Sequence, residues 1–163
     1  MKLSLDIAIE SDDWQAFEEP EGLAESAIDA AVRLSGVELP PGAEVSILLC
    51  DDDFIRDLNQ KWRGIDKPTN VLSFPAGDTA APGPILGDIV VAYGTAAREA
   101  REEEKSLRDH VAHLFVHGFL HLIGYDHLVA AEADEMEALE RAVLAELGIA
   151  DPYRGAFVQI AES

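Results

Sequence analysis

The pattern of the chain predicts one α+β domain spanning residues 1–163, with about four short strands in a sheet and helices packed on it. Three observations carry this. The stretches 2–9, 45–50, 70–74 and 86–92 are short and apolar or alternating, as strands are. The segments around them repeat apolar residues at helical spacing. One segment, 111–123, is apolar nearly all round, which marks a helix inside the core rather than on its surface.

Composition sets the outer bounds. At 163 residues and 48% hydrophobic, the chain can bury a sizeable core and falls outside the disordered classes. No apolar run approaches the ~20 residues of a membrane span. The N-terminus, Met1-Lys-Leu-Ser-Leu-Asp-Ile7, alternates like a strand and lacks the long apolar run of a signal peptide, so the expected location is the cytoplasm. Cys50 is the only cysteine; no intrachain disulfide partner exists, and any metal must be held by His, Asp or Glu. The formal net charge of −20 argues against a non-specific grip on a phosphate backbone. Arg56, Lys61, Arg63 and Lys67 nevertheless crowd into one short stretch, a local cationic cluster on an acidic background.

Taken in order, residues 2–9 alternate and form a first strand, and residues 11–20 read as a polar, acidic connection ending in Pro20. From Gly22 to Leu34, the positions Leu23, Ala27, Ile28, Ala31 and Leu34 fall on one helical face, and Gly36 closes that helix. Val45 to Cys50 is too apolar for a strand exposed on both faces. Asp51, Asp52 and Asp53 then supply capping chemistry and favourable charge at the start of the next helix, which runs through Ile55, Leu58 and Trp62 before Arg63-Gly-Ile-Asp-Lys-Pro68 breaks it. Asn70 to Phe74 forms a strand that pairs, hairpin fashion, with Leu86 to Ala92 across a loop rich in Gly, Pro and Ala. Residues 93–104 read as a helix, and the central helix follows from Ser106 to Ile123. A last helix, Ala131 to Leu147, carries Met136, Leu139, Val143 and Leu147 on one face and its acids on the other. The Asp151-Pro-Tyr153 tail is expected to take no part in chemistry.

The central helix is interrupted only by histidines, at 110, 113, 117 and 121, spaced so that they share one stripe. A polar stripe inside a core needs partners. His117 and His121 stand one turn apart, Gly124 stops the helix, and the chain can then turn His127 back toward them. Three converging imidazoles suit one zinc ion with an open fourth position. A rigid helix cannot aim all four of its rings at one ion, so His113 reads as a supporting or core histidine and His110 as lying near the surface. The familiar zinc-helix motif places a Glu general base directly after the first His; here that position is Gly118, which permits either a close ligand or tight helix packing. Asp126 either accepts a ring proton or caps the turn, and Asp88 is a further candidate to line the site. From position alone Arg63 reads as a helix-terminal arginine bonding the last carbonyls.

These residues resemble a known family. His117-Gly-Phe-Leu-His121-Leu-Ile-Gly-Tyr-Asp-His127 is similar to the signature of the YbeY family of bacterial endoribonucleases. Leu58-Asn-Gln-Lys-Trp-Arg63, Asp66-Lys-Pro-Thr-Asn-Val-Leu-Ser-Phe-Pro75 and Leu86-Gly-Asp-Ile89 resemble a second block, and the likeness covers roughly residues 45–147. It implies a mixed sheet, one Zn²⁺ ion on His117, His121 and His127, and a catalytic role for Arg63. The implied activity is single-strand-specific cleavage of ribosomal RNA during maturation of the 16S 3′ end and ribosome quality control. The small ribosomal subunit or assembly factors are the implied partners, and the acidity of the chain points to such a partner supplying part of the affinity for RNA. Two other readings stay open: a metal-dependent hydrolase of another substrate, and a non-catalytic assembly factor with a structural zinc.

Overall fold

A computed structural model describes residues 3–77, 83–125 and 130–153. Four strands, β1 (Ser4–Ile9), β2 (Glu44–Cys50), β3 (Val71–Pro75) and β4 (Ile85–Ala92), form a sheet in the order β1-β2-β4-β3. The first three strands of that order run parallel, and β3 is antiparallel to β4 at the edge, with Val71 opposite Val91 and Phe74 opposite Asp88. The sheet is therefore mixed, and the hairpin-like pairing of β3 with β4 is present. The helices are α1 (Pro20–Ser35), α2 (Asp52–Arg63), α3 (Tyr93–Glu102), α4 (Leu107–Leu122) and α5 (Ala130–Glu146).

Side-chain alternation along the strands separates the two faces of the sheet. Val45, Ile47, Leu49, Ile89 and Val91 point into the main core with α1, α4 and α5. Cys50, Leu72, Val90 and Ala92 point the other way, where Ile55 and Leu58 of α2 cover them. The segment expected to be a polar connection contains a 3-10 helix, Asp12–Ala16, whose Trp14 is fully buried. Its indole Nε1 donates to the Cys50 carbonyl at 2.9 Å, so one buried aromatic plugs the end of β2. The acidic flanks of Trp14 hid this in the sequence: a single large side chain in a short turn produces no periodicity.

The acidic triplet caps, as its position implied. Asp51 Oδ1 accepts from Phe54 N at 2.8 Å, and Asp52 Oδ1 accepts from both the Thr95 backbone and hydroxyl, tying the start of α2 to the start of α3.

α4 is the centre of the fold. Ser106 caps it by accepting from Asp109 N at 3.1 Å, and every residue from His110 to Leu122 is buried. It packs on β3 and β4 and is covered by α1, α3 and α5. Burial of Leu114, Phe115, Phe119 and Leu120 stabilises this placement by roughly 1.5–3 kcal/mol per side chain. Gly118 is where the helix meets the sheet most closely. A Cβ there would lie 2.8 Å from Ile89 Cγ2 and 3.2 Å from Ser73 Oγ, and that hydroxyl donates to the Gly118 carbonyl at 3.1 Å. Of the two uses the sequence allowed for Gly118, helix packing is the one that this contact explains.

Candidate metal centre

The four histidines of α4 lie on one buried stripe, and their Nε2 atoms fall into two kinds of surroundings. His110, expected near the surface, is fully buried. Its Nε2 lies 2.9 Å from Glu99 Oε1, which also accepts from Asn70 Nδ2 at 2.9 Å. The expectation failed because α3 folds back over the start of α4, which no local pattern announces. His113 Nε2 lies 2.5 Å from Glu140 Oε2 of α5. His117 Nδ1 lies 3.4 Å from the same Glu140 oxygen, at the long limit of a hydrogen bond. His117 Nε2 and His121 Nε2 face one another at 3.1 Å.

That last geometry fits a metal. Two nitrogens each about 2.0–2.1 Å from a tetrahedral ion stand ~3.3 Å apart, close to the observed separation. Neutral imidazole nitrogens are also the right chemistry for a first-row divalent ion. Among the described residues no group of three ligating side chains converges; His117 and His121 provide two nitrogens. His127, the expected third ligand, and Asp126 lie outside the described residues.

Glu140 is the residue that the sequence pattern missed. α5 turns Met136, Glu140 and Val143 inward, whereas its other acids stay on the outer or partly covered faces. Glu140 is 1% exposed. Burial pushes its carboxyl up, but the hydrogen bond from His113 and the nearby His117 ring outweigh that and hold it well below the usual range. Burial lowers His113 despite the opposing pull of Glu140. The pair is thus a neutral imidazole donating to a carboxylate. Tyr153 completes the group: its hydroxyl donates to Glu140 Oε1 at 3.0 Å, and its ring stands edge-on to His113 at 5.6 Å. The tail, expected to take no part in chemistry, reaches the buried stripe through this structural contact. A hint existed in the sequence, since Glu140 falls four residues after Met136 and three before Val143, on the apolar face.

Arg63 ends α2, where Gly64 in the left-handed conformation (φ 71°) closes the helix: Gly64 N donates to the Gln60 carbonyl and Ile65 N to the Asn59 carbonyl. Arg63 as a residue is half-buried, and its guanidinium makes no hydrogen bond or ion pair among the described residues. The other cations of its stretch are partly committed. Arg56 pairs with Asp66 at 2.8 Å, and Lys61 lies 5.2 Å from the centroid of the exposed Trp62 ring. Asp88 alternates with Ile89 and so points away from α4, into an open groove of about 730 Å³ shared with Trp62 and Phe74. No helix among the described residues is long and apolar enough to cross a membrane.

Comparison with known proteins agrees with the fold and the motifs. A family model described as Endoribonuclease YbeY matches residues 6–148. The chain is 62% identical over 154 residues to Endoribonuclease YbeY of Methylocella silvestris, covering 94% of this chain and 88% of that protein. It is 52% identical to Endoribonuclease YbeY of Allorhizobium ampelinum, covering 94% and 96%. The solution structure of TM1509 from Thermotoga maritima superposes with a TM-score of 0.57 at 26% identity, covering 92% of this chain and 99% of that one. With the family model spanning residues 6–148 and both motif blocks inside it, the chain belongs to the YbeY endoribonucleases, enzymes that cut phosphodiester bonds within RNA.

Proposed function

We propose that this member is a zinc-dependent, single-strand-specific endoribonuclease acting in the cytoplasm on ribosomal RNA, at the maturing 16S 3′ end and in ribosome quality control. One ion would be held by His117, His121 and His127. The observation that carries the metal reading is the facing pair of Nε2 atoms, 3.1 Å apart on a fully buried helix. A zinc ion held there would supply Lewis acidity at a phosphoryl oxygen and would lower the pKa of bound water toward about 7.

The chain's own residues do the rest. Negative charge grows on the phosphoryl oxygens as the bond breaks, and a preorganised cation stabilises it. Arg63 is the residue proposed for this: its guanidinium matches two phosphate oxygens at once and is not committed to a carboxylate among the described residues. Gly118 carries no side chain where a zinc peptidase would hold its glutamate base, which favours phosphodiester over peptide chemistry. The small ribosomal subunit or an assembly factor is the proposed partner, supplying affinity that a chain of net charge −20 lacks.

The test is cleavage of a single-stranded ribosomal RNA substrate by the purified chain, with and without chelator, beside casein as an alternative substrate. The expected outcome is RNA cleavage that chelator abolishes and zinc restores, with casein untouched. Casein hydrolysis without RNA cleavage, or an intact zinc site with neither activity, would replace this reading with one of the two alternatives.

A further inference from the structure

The buried face of α5 places a carboxylate against the side of His117 that looks away from His121. His117 turns Nε2 to His121 Nε2 at 3.1 Å and Nδ1 to Glu140 Oε2 at 3.4 Å. Glu140 is therefore on the wrong side of the ring to ligate the same ion as those Nε2 atoms. The contact is longer than a formed hydrogen bond, but the carboxylate faces Nδ1, and a shift of a few tenths of an ångström lets it accept the Nδ1 proton. A metal-ligating histidine commonly makes just such a bond through its other nitrogen, which fixes its tautomer and its ring orientation.

The carboxylate is itself immobilised. His113 lies 2.5 Å from Oε2, and the Tyr153 hydroxyl donates to Oε1 at 3.0 Å. His113 and Glu140 are each 1% exposed, so neither exchanges its partner for water at low cost. His113 Nδ1 is buried and has no hydrogen-bond partner among the described residues, which leaves Nε2 as the nitrogen that carries the ring's proton toward Glu140. We infer that Glu140, clamped by His113 and Tyr153, is the positioning residue of the metal centre: it holds His117 in the tautomer that keeps its proton on Nδ1 and turns the Nε2 lone pair toward the ion. This rests on the metal-centre reading proposed above and adds to it three residues, Glu140, His113 and Tyr153, that touch no substrate and no ion.

The experiment measures zinc affinity, not cleavage, on the full-length chain by competition with a colorimetric chelator. Glu140→Gln preserves shape but removes the charge, and Tyr153→Phe preserves the ring but removes the hydroxyl from Oε1. The expected result is zinc binding weakened about 10- to 100-fold in E140Q and about fivefold in Y153F. The Co²⁺-substituted visible spectrum should shift in E140Q, and the melting temperature of the metal-free Y153F chain should stay near the parental one. Parental zinc affinity and an unchanged Co²⁺ spectrum in E140Q overturn the inference alone. If E140Q does not fold, Y153F decides: weakened affinity supports the positioning role and parental affinity overturns it. A parental chain that takes up no zinc overturns the metal-centre reading, and this inference with it.

Discussion

The two halves of α4 carry the same residue type on the same buried stripe and use it differently. In the N-terminal half, the Nε2 atoms of His110 and His113 each face a carboxylate, Glu99 at 2.9 Å and Glu140 at 2.5 Å. In the C-terminal half, the Nε2 atoms of His117 and His121 face one another at 3.1 Å. An imidazole whose outward nitrogen meets a carboxylate is a structural donor. Two imidazoles whose outward nitrogens meet each other present two lone pairs to one point, unless one of them spends its proton on the other. The difference lies in the neighbouring elements: α3 and α5 bring the carboxylates of Glu99 and Glu140 to the Nε2 atoms of the first half.

That contrast can be broken by substitution. The largest effect is expected from His117→Ala, which should lower RNA cleavage by a factor of about 10³ or more. A gel-based cleavage assay checks this; parental rates would remove the C-terminal half from the chemistry. Next is His110→Ala, which leaves Glu99 without its buried donor and opens space in the core. It should cost about 2–4 kcal/mol in urea unfolding of the metal-free chain, while zinc affinity changes little. Gly118→Ala should cost about 1 kcal/mol: overpacking against the β-branched Ile89 costs roughly 1–3 kcal/mol, offset by ~1 kcal/mol of helix propensity. A gain in stability would mean that α4 and the sheet can separate more easily than their contact suggests.

The smallest effect serves as a control on locality. Cys50 lies on the opposite face of the sheet, and burial, with Asp51 and Asp52 adding to it, pushes its thiol up to about 12. At pH 8 only about one thiol in ten thousand would be ionised. It should therefore resist a disulfide reagent in the native parental chain and in H117A, and react fully in denaturant. The sign follows from proton uptake: the folded chain keeps a proton that the unfolded chain loses near ~8.5. The Cys50 contribution thus lowers stability as pH rises from there to about 12. Rapid reaction in native H117A would show that the substitution disturbs both faces of the sheet, not the metal centre alone.

Much of this was legible in the sequence because it is local. Period-two and period-3.6 patterns marked the strands and helices, and the apolar run of 111–123 identified α4 as the buried element. The spacing of His117 and His121 singled out the pair that converges. What escaped was contact between distant segments. The burial of His110 depends on α3, the partner of His113 is Glu140 on α5, and the partner of Glu140 is Tyr153 at the end of the chain. Trp14 escaped for a related reason, since one buried ring in a short turn has no repeat to betray it. Periodicity reports which face of an element is apolar, but it does not report which polar group will be brought against that face.

The most direct test of the contrast is elemental analysis of zinc per chain across the single alanine variants of the four α4 histidines, each purified without added metal. The account predicts about one zinc per chain in the parental protein and in H110A, a reduced content in H113A, and a near-zero content in H117A and H121A. Retention of parental zinc in H117A, or its loss in H110A with the fold intact, would contradict it.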